Sequence, residues 1–411
     1  MTTVSITTKA GPVEGVCDPK FRDVLEAFVD NFETRDEVGA SVALALEGKP
    51  LVDLWGGRKT RDGEPWTGDT ISLVYSSTKG ATALCAHMLA GRGLLDLDLP
   101  VARYWPEFAQ GGKENARVSM MLDHSVGVPH VRVELKDGGL YDYAYMVDLV
   151  AREPAFWEPG TRNGYHAMTM AWTVGEIVHR VSRRRLADFF RDEIAKPLGL
   201  EFWIGLPEGE EHRVAPMIQA RPDGAAAQSK FMQTVLTKPG SPAQLFLRDL
   251  VRFNSNTREW RAAEIGSANG MTNARGLMGL YHPLANGGSH QGLRFVGKDT
   301  LERMSRVSVA THEDATLMIP TRFSLGYMKA MDNRREKDAG NASLLISEPA
   351  FGHVGAGGSV GFADPGCGLS FGYTMNRMGL GLLMNERGQA LIDAAYRALG
   401  YRSNAGGAWA P

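Results

Sequence analysis

Cysteine is scarce in this sequence: Cys17, Cys85 and Cys367 are the only three in 411 residues. An odd number at wide spacing excludes a disulfide framework and suits buried thiols in a reducing compartment; a single Cys17–Cys367 bridge is left open. No C-x-x-C or H-E-x-x-H occurs, the ten histidines are dispersed, and Asp123-His124 is a lone adjacent pair, so no metal site is expected. Neither sign of charge dominates: 45 basic residues stand against 47 acidic ones, for a net charge of −2. That removes the footprint of a nucleic-acid or anionic-membrane partner. No apolar run is long enough for a helical membrane span. Met1 to Lys9 has neither the basic nor the apolar region of a secretory leader. With the cysteines, this makes the cytoplasm the expected location. No glycine-rich stretch opens a helix, so no phosphate or dinucleotide loop and no cofactor is expected.

What is present is an ordinary globular composition, 43% hydrophobic and 22% charged, in a chain longer than one core usually supports. Phe21, Val24, Leu25, Phe28, Val29 and Phe32 form a helical stripe, and residues 41–47 and 51–55 read as a hairpin around Gly48-Lys49-Pro50. Residues 70–75 form a short extended run. From 81 to about 296 the periodicity is mostly helical, with a turn at Glu158-Pro159-Gly160 and a small-residue loop at 223–227. Strand-like patterning returns at 323–330, 351–362 and 369–375, followed by a polar-faced helix over 389–399. Residues 333–341 read as a charged loop ending in the sequon Asn341-Ala342-Ser343. Strands thus lie at both ends and helices between. The expected fold is α+β: one antiparallel sheet assembled from both chain ends and flanked by helices, with a mostly helical insertion. The expected domains are 1–75 with 300–411, and 76–299, with a site in the cleft between them.

One stretch carries chemistry: Tyr75-Ser76-Ser77-Thr78-Lys79-Gly80, followed by Leu84, Cys85, Met88 and Leu89 at the spacing of an amphipathic helix. Residues three apart share a helical face, so a helix starting near Ser76 brings its hydroxyl to the Lys79 ammonium beside free backbone N–H groups. A hydroxyl attacks an acyl carbonyl when a base takes its proton, and a lysine serves as that base where a dry setting lowers its pKa. The S-x-x-K pattern alone is weak, with roughly 0.7 chance matches in such a chain. It reads equally well as a helix N-cap with a surface lysine.

A rival nucleophile is Ser359, in the G-x-S-x-G stretch Gly357-Gly358-Ser359-Val360-Gly361. That elbow needs a helix after the serine and a histidine downstream. Phe362-Ala363-Asp364-Pro365-Gly366 opens no helix, and the last histidine of the chain is His353. Ser359 therefore reads as part of a glycine-rich strand connection.

Ser76-Ser77-Thr78-Lys79 resembles the S-x-T-K motif of class C β-lactamases, serine DD-peptidases and family VIII carboxylesterases. Four more segments follow in that group's order. Gly93-Leu94-Leu95-Asp96-Leu97-Asp98-Leu99-Pro100-Val101 resembles its G-x-L-x-L-D-x-P-V segment. Leu122-Asp123-His124-Ser125-Val126-Gly127-Val128-Pro129 resembles L-x-H-x-S-G-L-P. Pro159-Gly160-Thr161-Arg162-Asn163-Gly164-Tyr165-His166-Ala167 resembles P-G-x-x-x-x-Y-S-N. Gly352-His353-Val354-Gly355-Ala356 stands where the group has K-T-G, H-T-G or W-x-G.

The resemblance implies a β-lactamase/DD-peptidase-like fold and an acyl-transfer site. In it Ser76 is the nucleophile, Lys79 and Tyr165 exchange protons with it, and either of the two takes the serine proton. It also implies an oxyanion hole made by the N–H groups of Ser76 and Ala356, with His353 at the rim facing substrate beside Gly355. Two departures stand out. Ala167 replaces the asparagine that holds an amide side chain, and His353 replaces the lysine that attracts a carboxylate. Both tilt the expectation from β-lactams toward short, uncharged carboxylic esters. The alternatives are a β-lactamase, amidase or acyltransferase, and a catalytically silent acyl-binding homologue. His124 reads as a structural histidine, and Phe156, Trp157, Met168 and Met170 as core. The expected partner is a small-molecule ester, and the sequence leaves the oligomeric state open.

Overall fold

Both ends of the chain meet in one sheet. The computed structural model describes residues 1–220, 229–336 and 342–411. The chain opens with strands β1 (Thr2–Thr8) and β2 (Gly11–Cys17), helix α1 (Arg22–Thr34), and strands β3 (Gly39–Leu46) and β4 (Lys49–Gly57). Strand β5 (Ser72–Leu73) leads to α2 (Lys79–Gly91), α3 (Val118–Leu122), α4 (Tyr143–Arg152), α5 (Met170–Ser182) and α6 (Leu186–Phe190). Then come β6 (Phe202–Ile204), α7 (Lys230–Thr237), α8 (Pro242–Leu250), α9 (Arg258–Ala262), β7 (Gly270–Thr272) and α10 (Ala274–Ala285). Short pieces β8 (Ser289–His290), β9 (Leu293–Arg294), α11 (Lys298–Ser305), β10 (Val309–Thr311) and β11 (Thr321–Phe323) follow. Strands β12 (Phe351–Val354), β13 (Val360–Asp364) and β14 (Leu369–Met375) and helix α12 (Glu386–Ala398) close it.

The main sheet is antiparallel in the order β1-β2-β4-β3-β14-β13-β12. Strands from the two termini are joined where β3 pairs with β14, a seam reinforced by a 2.9 Å hydrogen bond between the Ser41 and Thr374 hydroxyls. Strand β14 is buried along its whole length and β3 up to Leu46, which is half-buried, because helices cover both faces of the sheet. Successive residues of a strand face opposite sides. On β13, Gly361 lies under Tyr281 of α10, while the Phe362 ring stacks on Tyr396 of α12 at 6.2 Å. A Cβ on Gly372 would overlap the Ala274 carbonyl oxygen, so the missing side chain is what lets α10 reach the sheet. On the other face α1 packs against α12, burying Val24, Phe28 and Phe32 against Leu391, Ile392 and Tyr396.

Several expectations change. Helix α2 is not amphipathic: every residue from Lys79 to Leu89 is buried, as befits a helix running through a core rather than along its surface. The strand expected over 323–330 stops at Phe323, because the chain turns at Gly326 (φ +93°) with the Ser324 N–H bonded to the Tyr327 carbonyl. The single strand expected over 351–362 is a hairpin, β12 and β13, broken by the left-handed Gly357 and Gly358. The β1–β2 hairpin had no counterpart in the sequence pattern. Helix α10, which falls within the expected helical part 76–299, packs on β3, β13 and β14. Cys17, Cys85 and Cys367 are free thiols and form no bridge. The loop expected at 223–227, and Asn341 of the sequon, lie outside the described residues. Among the described residues no helix is long and apolar enough to cross a membrane.

Candidate active site

The Ser76 segment arrives on the small sheet β5-β7-β6 and is pinned on entry. The Val74 N–H donates to the Gly270 carbonyl, and the Gly270 N–H donates in turn to Thr78 Oγ1 at 2.8 Å. Tyr75 takes a positive φ of 42°, an unfavourable backbone for a residue with a Cβ. Its hydroxyl is tethered to Ser255 Oγ at 3.1 Å. Residues 75–78 form a 3-10 turn that runs into α2, and Lys79 is the helix's first residue. The turn puts Ser76 and Lys79 on one face: Lys79 Nζ lies 3.0 Å from Ser76 Oγ. In residues 71–89 only Ser76 is open to solvent.

Lys79 is fully buried, so it is not the surface lysine of an N-cap. Its nitrogen donates to the Ala167 carbonyl at 2.7 Å and the Ser267 carbonyl at 2.9 Å. Among the described residues no carboxylate lies within ion-pair distance of it. Burial alone therefore holds the ammonium well below the ordinary lysine value of 10.5. Two acceptors occupy two N–H directions, and the third direction points at the serine hydroxyl.

Tyr165 lies beside this pair, with Lys79 Nζ 4.8 Å from its ring centre. Its loop is held by the segment that resembled L-x-H-x-S-G-L-P. The Gly164 N–H donates to the His124 carbonyl, the His166 N–H to His124 Nδ1, and the Val128 N–H to His166 Nε2. From the other side the Tyr165 N–H donates to Asp314 Oδ1 at 2.9 Å. The ring stacks on Phe323 at 5.9 Å and lies edge to face with His124 at 4.9 Å. The Tyr165 hydroxyl is buried and makes no hydrogen bond of good geometry. Burial raises its pKa well above 10, and the nearby Ser76 side chain pulls in the opposite direction. The phenol is thus protonated and has a free donor.

The histidines around the site are neutral. His166 donates from Nδ1 to the Gly164 carbonyl and is pushed down to about 3 by burial. His353 donates from Nδ1 to the Val354 carbonyl, and burial and the Lys79 charge push it down to about 3. Its ring is fully buried, 6.0 Å from that of Tyr165, so it lies within the wall of the site and not at the rim. Gly355 is also buried. A Cβ there would overlap the Val74 carbonyl oxygen, so its bareness serves close packing against the Ser76 turn. In residues 350–364 only Ala356 is open to solvent. Among the described residues, neither the Ser76 N–H nor the Ala356 N–H donates to an acceptor.

The structure brings Ser76, Lys79 and Tyr165 together, with His353 behind them. Asp314, Ser267 and the Ala167 carbonyl had no signal in the sequence, because each acts through a contact made across the chain or through its backbone. Ser359 is buried, is followed by strand β13 rather than a helix, and points its hydroxyl at the Val74 carbonyl at 2.9 Å. Met168 and Trp172 line a cavity of about 280 Å³ with Tyr141, Asp249 and Phe253; Ser76 is not part of its lining. Among the described residues no three His, Cys, Asp or Glu side chains are grouped to hold a metal ion.

The chain is 32% identical to the Esterase/beta-lactamase LipL of Mycobacterium tuberculosis over 382 residues, covering 91% of this chain and 85% of that protein. A crystal structure of a family VIII carboxylesterase superposes with a TM-score of 0.79 at 37% identity, covering 94% of this chain and 99% of the other. A penicillin-binding protein homologue from Caulobacter crescentus superposes with a TM-score of 0.80 at 32% identity over the same shares. The family model described as Beta-lactamase matches residues 21–396. A match over nearly the whole chain, with the β-lactamase and penicillin-binding-protein fold beneath it, places this protein in the beta-lactamase family.

Proposed function

We propose that the protein is a serine carboxylesterase that cleaves short-chain esters through an acyl-enzyme on Ser76, with Lys79 and Tyr165 as proton-transfer partners. The observation that carries this reading is the buried Lys79 amine, held by two carbonyls and directed at Ser76 Oγ at 3.0 Å. Neutral Lys79 takes the Ser76 proton as Oγ bonds to the ester carbonyl carbon. The oxyanion that forms is received by the free N–H groups of Ser76 and Ala356. Tyr165 gives its proton to the departing alkoxide and regains one from the Lys79 ammonium. Water then adds to the acyl-enzyme by the same steps in reverse, releasing acid and restoring Ser76.

Preference for uncharged esters is supported by what stands where the family has its polar contacts. Ala167 offers no side-chain amide, and His353 is buried and neutral, so neither attracts an amide side chain or a carboxylate. Lys79 is the better candidate than Tyr165 for the acylation base, because burial drives the lysine toward its neutral form and the phenol away from phenolate.

The test is hydrolysis of p-nitrophenyl acetate and butyrate by the wild type, Ser76→Ala and Ser359→Ala. Turnover is expected to vanish in Ser76→Ala. Activity that survives there and is lost in Ser359→Ala overturns the assignment. A β-lactamase reading has one observation in its favour, the double name of the M. tuberculosis relative. Hydrolysis of a chromogenic cephalosporin at rates rivalling the ester establishes it instead.

A further inference from the structure

The stretch Gly357-Gly358-Ser359-Val360-Gly361 has no place in the reaction as described, yet its serine is buried in contact with the nucleophile's turn. Ser359 Oγ lies 2.9 Å from the Val74 carbonyl and 3.2 Å from Ser77 Oγ. Ser77 Oγ also lies 3.2 Å from the carbonyl oxygens of His353 and Ser359. The Val74 carbonyl accepts the Ser77 N–H at 3.0 Å, so it closes the turn in which Ser76 sits. The Ser359 carbonyl accepts the Gly355 N–H at 2.8 Å and closes the turn in which Ala356 sits. Each hydroxyl has a single proton, and that of Ser77 is shared among three acceptors at 3.2 Å, Ser359 Oγ and the carbonyls of His353 and Ser359. With its proton committed to the Val74 carbonyl, Ser359 Oγ accepts from Ser77.

We infer that Ser77 and Ser359 are positioning residues, a buried pair of hydroxyls that locks the Ser76 turn to the Ala356 turn and so sets the spacing of the two oxyanion-hole N–H groups. This rests on the esterase reading above. The two N–H groups belong to chain segments about 280 residues apart, and each is the single opening in an otherwise buried stretch. Something has to hold them in register, because displacing a catalytic group by about 1 Å costs roughly 100-fold in rate. Gly355 sits so tightly against both turns that no side chain fits: a Cβ there would overlap the Val74 carbonyl oxygen and Ser359 Oγ. The far side of the Ala356 turn is fastened as well, where Asn385 Nδ2 and the Gly379 N–H both donate to the Gly357 carbonyl. The glycine-rich motif is therefore the seat of one oxyanion donor, and its serine is the link to the other.

The experiment compares the wild type with Ser359→Ala, Ser77→Ala and the double variant. The readouts are kcat and KM on p-nitrophenyl butyrate, the Ki of an alkyl trifluoromethyl ketone, and thermal melting. A trifluoromethyl ketone adds to the serine as a tetrahedral oxyanion, so its affinity reports the hole and not general folding. Ser359→Ala is expected to lower kcat about 10- to 100-fold with KM within about twofold, and to raise the ketone Ki by the same factor. The double variant is expected to lose no more than about threefold beyond Ser359→Ala, because the two hydroxyls act as one unit. A cooperatively melting Ser359→Ala with kcat within twofold of wild type overturns the inference. So does a loss confined to KM with ketone affinity unchanged. Should Ser359→Ala fail to melt cooperatively, Ser77→Ala decides by the same criteria. Failure of the esterase reading is separate: it shows as turnover that survives in Ser76→Ala, whereas failure of the present inference leaves Ser76→Ala inactive.

Discussion

Two buried cations in this molecule are treated in opposite ways. Lys79, at the head of α2, is surrounded by carbonyls and a hydroxyl, with burial driving it toward the neutral amine. Arg387, in the first turn of α12, is just as buried but faces Glu37, whose carboxylate bonds its Nη1 at 2.5 Å. Burial pulls the guanidinium down, yet the carboxylates of Glu37 and Asp36 outweigh it and hold Arg387 above its usual value. The same low dielectric either removes a charge or fixes it, and the presence of a carboxylate decides which. Around Arg387 the fixed charge fastens the segment after α1 to α12, and further bonds join them: Asn31 Nδ2 of α1 donates to the Arg387 carbonyl, Tyr373 of β14 donates to Glu37, and Arg35 bonds Glu386. Around Lys79 no carboxylate stands among the described residues, which leaves the amine free of a fixed charge, as the proposed base requires. One region uses ionisation for structure, and the proposed site withholds it.

The contrast is sharpened most by Lys79→Met, which is expected to cut kcat/KM on p-nitrophenyl butyrate by on the order of 10⁴-fold or more while the protein still folds. Its stability against pH carries a second signature. The folded-state pKa of Lys79 lies below its unfolded value of 10.5, so the unfolded chain holds the extra proton between the two. Wild-type stability relative to Lys79→Met then rises with pH across that window, by about 1.4 kcal/mol per unit, and is full only above the unfolded value. Denaturant melts of both proteins from pH 6 to 10 measure it; a flat difference breaks the account of Lys79 as a neutral amine.

Arg387→Met leaves Glu37 buried without its partner and is expected to cost about 3–5 kcal/mol in urea unfolding, with kcat of the folded fraction within about twofold. The double variant Glu37→Leu/Arg387→Met is expected to regain most of that loss. If the double variant is no better than the single, the unpaired Glu37 charge is not what the single variant suffers from.

The smallest effect concerns the third group at the site. Asp314 Oδ1 accepts from the N–H groups of Tyr165, Thr316 and Leu317 at 2.8 to 2.9 Å. Asp314→Ala is expected to lower kcat about 10-fold by freeing the Tyr165 loop, and Asp314→Asn, which keeps a carbonyl acceptor, to recover most of it. Equal losses in both variants show that the carboxylate charge matters and the loop anchor does not.

Local pattern was legible where one side of an element faces water. The stripe Val24, Phe28, Phe32 marked α1, and the β3–β4 hairpin was marked by its Gly48-Lys49-Pro50 turn and not by alternation, because β3 is buried on both faces. It failed where an element is buried on every side or broken by its partners. Helix α2 carries no polar face, and β12 and β13 read as one run over 351–362 although the glycine-rich connection around Ser359 stands within it. At the site, Ser76, Lys79 and Tyr165 could be named because five segments stand in the order of the family that they resemble. His353 could be named but not placed: its residue type is in the sequence, its burial is not.

The sequence by itself determined the inventory: a serine and a lysine three residues apart, a tyrosine in a recognisable turn, and no histidine beyond 353 to serve another serine. Those are matters of residue type and local spacing, which a chain carries before it folds. Only the tertiary structure decided that Lys79 lies in a dry pocket with two carbonyls and, among the described residues, no carboxylate, and that residues 74–77 and 355–359 meet through two hydroxyls. Desolvation and hydrogen-bond registry depend on atoms from distant parts of the chain arriving at one point, and no short stretch of sequence contains them.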